Sequence, residues 1–182
     1  MFRQVFAVLA GFVLAASPAR AFDVEVVTGA KPLSAFRAVY IAPVALALAD
    51  DRRARPVDER DALDIAADFA ERLEAAFDDD FEIAPAPGPG VLSIEATLTT
   101  LAASRPTPAD LRAEPSLSSD SVYAGGAAFR AVLSEDGAIL AEVADAVVGD
   151  LGDGFPRVGV WQEADRAVAR WSRALVRFVE EN

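Results

Sequence analysis

Two long apolar runs, SVYAGGAAFRAVL and AILAEVADAVVG, meet at Ser134-Glu135-Asp136-Gly137. An Asp-Gly pair between strand-like runs supplies the two positive-φ positions that a tight two-residue turn requires. This stretch is therefore expected to fold as a long antiparallel hairpin. Gly125 and Gly126 at its entry suggest a bulge or a close backbone approach. A further run, VLSIEATLTTLAA, alternates with period two: Leu92, Ile94, Ala96, Leu98 and Thr100 fall on one face, and Ser93, Glu95, Thr97 and Thr99 on the other. A sheet with one apolar face must be covered.

Two segments have the helical period needed to cover it. Ala62, Ile65, Ala66, Phe69, Leu73, Ala76 and Phe77 form a stripe between Asp58 and Phe77. Asp58, Glu59, Asp61 and Asp64 crowd its first turns, where the helix dipole favours negative charge. Near the end of the chain, Trp161, Ala164, Val168, Trp171, Leu175 and Phe178 define a second stripe, with both tryptophans expected on the sheet. Phe36 to Pro43 reads as a buried strand, with Pro43 limiting further central pairing. Phe81-Glu82-Ile83 offers a short strand before the APAPGPG break at 84–90. Residues 44–57 and 104–120 read as loops, the places where partner contact is expected. The fold class is α/β in the α+β sense: a single mixed, largely antiparallel sheet packed by two amphipathic helices.

The beginning of the chain is of a different kind. Arg3 precedes an uncharged run from Val5 to Ala16, and Pro18 precedes Ala19-Arg20-Ala21. A cationic start, a short apolar centre and a small-x-small exit make up a secretory signal peptide. The run stops well short of the roughly twenty apolar residues of a membrane span. Cleavage is expected between Ala21 and Phe22. The domain plan is a signal peptide over 1–21, a leader or edge strand over 22–33 and one domain over 34–182.

Losing Arg3 and Arg20 moves the formal net charge from −12 to −14. Such a field repels nucleic-acid phosphate and anionic lipid surfaces. The densest basic run, Arg52-Arg53-Ala54-Arg55, lies beside Asp50, Asp51 and Asp58 and reads as a solvated loop.

FRAVYIAPV before the first helix, GPGVLSIEATLTTL after it, AEVADAVVGD after the hairpin turn and WQEADRAVARWSRAL near the end occur in an order that resembles the bacterial domain-of-unknown-function family 3313. The resemblance spans about Ser34 to Phe178. It implies an exported envelope protein, and members often look like lipoproteins. This sequence has no cysteine, so the thiol needed for lipid attachment is missing and no stable membrane anchor is expected after cleavage. The family brings no established activity with it.

With neither His nor Cys, a Ser-His-Asp triad, a Cys-His pair and the usual zinc or copper sites are excluded. No glycine-rich phosphate loop is present. Carboxylate pairs remain, since they support glycoside hydrolysis without histidine. Asp78, Asp79 and Asp80 sit at a helix end, Asp145 within a strand and Glu95 on a polar strand face. Asp150 and Asp153 in GDLGDGF could offer oxygen ligands to calcium, but the stretch reads first as a turn, and no metal site or cofactor is assigned. Tyr123 and Trp161 are the aromatics expected to be exposed.

These readings combine into a noncatalytic, soluble periplasmic protein that binds an envelope protein or glycan and is not an enzyme. The alternative is a carboxylate-dependent hydrolase of an envelope polymer, which requires two acids facing one cleft.

Overall fold

The computed structural model describes residues 21–29, 31–48, 57–149 and 159–182. The proposed signal peptide up to Arg20, the Arg52–Arg55 run, and Asp150 with Asp153 lie outside the described residues. In chain order the elements are β1 (Val24–Val27), a 3-10 turn (Leu33–Ala35), β2 (Ala38–Ile41), β3 (Ala45–Leu46) and α1 (Glu59–Phe77). Then come β4 (Glu82–Ile83), β5 (Val91–Ala102), α2 (Pro108–Ala113), β6 (Gly126–Glu135), β7 (Ala138–Val148) and α3 (Gln162–Glu181).

The seven strands form one sheet in the order β1-β7-β6-β5-β2-β4, with β3 also paired to β5. The β1, β7, β6 and β5 pairings are antiparallel, whereas β2 and β3 run parallel to β5 and β4 runs parallel to β2. The sheet is thus mixed and largely antiparallel, as its sequence pattern requires. Asp136 and Gly137 both take positive φ, 49° and 80°, and close the β6–β7 turn. At Gly126, φ is 145° and a Cβ would lie 2.2 Å from the Val147 carbonyl oxygen, so the close backbone approach needs glycine.

Both long helices lie on one face of the sheet. Asp58 caps α1, its side chain accepting from the Arg60 N–H. The α1 stripe buries Ile65, Phe69, Leu73 and Phe77 beneath it. From α3, Val168, Trp171, Leu175 and Phe178 are buried against the antiparallel half. Trp171 is fully buried over Phe129 on β6, ring centroids 4.4 Å apart, and its indole N–H donates to Asp145 Oδ2 on β7 at 2.6 Å. Arg170 also donates to this Asp145 oxygen and reaches out to solvent.

Four local expectations need correction. Thr100 does not share the inward face of β5: a bulge between Leu98 and Thr100 shifts the alternation, so Leu101 is buried and Thr100 is exposed. Residues 104–120 are not all loop. Thr107 and Asp110 form a reciprocal capping box around Pro108, which starts the short α2. Pairing does not stop at Pro43, because Ala45 and Leu46 rejoin β5 beyond it. Trp161 does not lie on the sheet with Trp171; it sits at the N-cap of α3, half-buried against α1.

The Trp171–Asp145 contact generates a stability prediction. Asp145→Ala leaves a buried indole N–H without its acceptor and should cost about 1–3 kcal/mol. Trp171→Ala adds a cavity and should cost about 3–5 kcal/mol. Asp145→Asn, which keeps an acceptor oxygen, should recover part of the loss. Urea unfolding of the three variants checks the order.

Candidate functional site

The structure first separates the acids singled out in the sequence. Asp145 points to the helix-covered face and is satisfied by Trp171 and Arg170. Glu95 is exposed on the opposite face of β5. The sheet therefore stands between these two acids. Asp78, Asp79 and Asp80 are exposed past the end of α1, where Asp78 borders a shallow groove with Glu71, Glu74 and Ile83. Tyr123 and Trp161 are both half-buried rather than exposed. Their segments meet at the buried Ser104, whose carbonyl accepts from the Tyr123 N–H and whose own N–H donates to the Val160 carbonyl.

The carboxylates that do converge come from two helices. Asp61, Asp64 and Asp68 stand along one side of α1, and Asp165 faces them from the first turn of α3. Together with Ile65, Gly159, Val160 and Trp161 they line a cleft of about 330 Å³. The Trp161 indole N–H donates to Asp61 Oδ2 at 3.3 Å and fixes the ring at the mouth. Arg72 Nε donates to Asp68 Oδ2 at 2.6 Å across one helical turn, and this contact raises the Arg72 pKa.

Asp165 is the perturbed acid. Its pKa is raised, first by desolvation within the cleft and then by the negative charge of Asp68, with Arg72 acting in the opposite direction. A carboxyl in the first turn of a helix ordinarily gains from the dipole. Here the cleft outweighs that gain, even though the residue remains open to solvent. A carboxyl of raised pKa facing a salt-bridged one places two acids in unlike surroundings, the arrangement that acid–base chemistry draws on.

Asp68 and Asp165 were not singled out from the sequence. The available signal was the spacing 61, 64, 68 on one helix and an acid four residues after Trp161 on the other. Their convergence depends on how the helices pack.

The family described as "Protein of unknown function (DUF3313)" matches residues 27–175. The chain belongs to this family. Membership agrees with the four blocks that carry the resemblance, and with it goes the exported, envelope character of the family. No curated protein matches the chain. Among solved structures, a PelC dodecamer from Paraburkholderia phytofirmans in space group C2 is 14% identical, covers 84% of this chain and 95% of its own, and has a TM-score of 0.47. Another PelC dodecamer from the same organism, in space group P6, is 14% identical with coverages of 83% and 97% and a TM-score of 0.45. Protein XCC0632 from Xanthomonas campestris is 12% identical, with coverages of 85% and 89% and a TM-score of 0.48.

One expectation is corrected here: the chain is not set down as a non-enzyme. Missing His and Cys exclude only the mechanisms built on those side chains, and the α1–α3 carboxylates need neither. Among the described residues, no helix is long and apolar enough to cross a membrane, and no group of three or more side chains is placed to hold a metal ion.

The raised Asp165 pKa has a consequence for stability. The folded state holds this proton at pH values where the unfolded chain has released it, so stability falls as pH rises through that window. Asp165→Asn should melt above the parent protein at pH 7 and converge with it near about pH 3, where both states are protonated. Thermal melts across this range, with the Asp165 carboxyl followed by NMR, check both the direction and the group.

Proposed function

We propose that the chain is an exported carboxylate-dependent hydrolase acting on an envelope polymer in the cleft between α1 and α3. The observation that supports this reading is the facing of Asp165 and Asp68 across two helices in one cleft, with the Asp165 pKa raised by desolvation and by Asp68. In the proposed chemistry Asp165 protonates the leaving oxygen of a glycosidic bond. An α1 carboxylate, Asp61, Asp64 or Asp68, takes the proton of the attacking water. Trp161 offers the apolar face of an indole, with its N–H turned to Asp61, as a surface for a sugar ring.

The same reading takes residues 1–21 as the export signal and places the processed chain in the periplasm. Its substrate is then an envelope glycan rather than a nucleic acid, whose phosphates the acidic cleft would repel.

The test is the release of reducing ends from purified cell-wall and exopolysaccharide fractions. Release should peak on the acid side of neutrality, and Asp165→Asn should lower it on the order of 10²–10⁴-fold. Trp161→Ala should weaken substrate binding more than turnover. Glycan binding without release would overturn the hydrolase and leave an interaction cleft.

A further inference from the structure

Phe22 is buried although its neighbours Ala21 and Asp23 are exposed. Its ring packs edge-on against Phe129 of β6, with centroids 5.8 Å apart, and against Phe178 of α3, at 5.9 Å. The Phe22 backbone N–H donates to Glu25 Oε1 of β1 at 2.9 Å. A lone aromatic side chain is thus drawn into the core at the residue that directly follows the small-x-small exit Ala19-Arg20-Ala21.

We infer that this pocket is the seat of the processed N-terminus, completed by hydrolysis of the Ala21–Phe22 bond. The inference rests on reading that bond as the export cleavage site. Water supplies hydroxyl to the Ala21 carbonyl, which leaves as a carboxylate. The Phe22 nitrogen keeps its own hydrogen and gains two protons, one from the water and one from the newly formed carboxyl group, becoming an ammonium. A neutral N–H donor to Glu25 is thereby converted into an ion pair at the same place.

The surroundings suit one additional positive charge. The cleft around Ala21 and Phe22 is lined by Asp23, by Asp145 of β7, and by Arg170, Ala174 and Arg177 of α3. Arg170 is engaged with Asp145, and Asp145 also accepts from Trp171. Glu25 therefore serves as the partner of the ammonium, Asp23 adds to the attraction, and Arg177 opposes it. From β6 the Phe129 ring faces Phe22. A terminal amine titrates near about pH 8 in an unfolded chain, and a carboxylate partner raises that value in the folded state. The stabilisation is then complete below about pH 8 and is lost as pH rises through the raised value.

The experiment compares the chain beginning at Phe22 with a free amine and the same chain with Phe22 acetylated, which keeps the N–H but removes the charge. At pH 6 the free amine should melt about 2–4 °C higher. The gap should close by about pH 10.5 and be absent in the Glu25→Gln pair. Intact mass of the exported protein should correspond to a start at Phe22. A different start, equal melting at pH 6, or a gap that persists at pH 10.5 or in Glu25→Gln each overturns the inference. None of these readouts involves the α1–α3 carboxylates, so failure here is distinguishable from failure of the hydrolase reading.

Discussion

The seating of Trp171 governs the position of everything that α3 carries. It is the largest fully buried side chain, and its N–H loses water on burial, so the helix can dock only where a buried acceptor is available. Asp145 on β7 is that acceptor, and Phe129 on β6 supplies the surface beneath the ring. Burial of Asp145 is itself tolerable because two donors converge on one of its oxygens. Hydrophobic burial brings the helix to the sheet, and the hydrogen bond fixes its rotation. From that fixed point, Asp165 and Trp161 project toward α1 on the N-terminal side, and Phe178 meets Phe22 on the C-terminal side.

The two ends of α3 carry opposite electrostatic problems. Its first turns bring Asp165 into the cleft beside the acids of α1, where desolvation first and the charge of Asp68 second raise its pKa and Arg72 acts in the opposite direction. Repulsion of this kind works against folding, and local propensity does not require it, since neutral helix formers would fill those positions. Farther along, Arg170 and Arg177 face the chain end near Phe22 and Asp23. An overall acidic protein thus places part of its small stock of cations where the sheet edge and the start of the body meet α3.

Much of the fold was legible because its strongest signals are local. The Asp136-Gly137 turn, the α1 stripe and the α3 stripe each declare themselves within twenty residues. The α2 capping box was equally local, in Thr107, Pro108 and Asp110, but is hidden by the prolines and serines around it. What the pattern could not carry was non-local. The parallel pairing of β2 and β3 with β5 joins segments separated by the whole of α1. The bulge at Leu98/Thr100 shifts a period that is otherwise regular.

The candidate site was less legible than the fold for the same reason. Each of its acids, seen alone, is an ordinary solvated helix residue, and sequence spacing cannot say that the polar flank of α1 will face the first turn of α3. That proximity follows from two separate burials, Phe69 of α1 on Phe129 and Trp171 of α3 on the same ring. One phenylalanine on the central hairpin thereby anchors both helices, and their packing supplies the desolvation and the Asp68 charge that raise the Asp165 pKa. The electrostatics of the cleft are in this sense a product of core packing. Altering the volume at Phe129 would change the acid–base character of a surface it does not touch, by letting α1 and α3 move apart and lowering the mutual repulsion of Asp68 and Asp165.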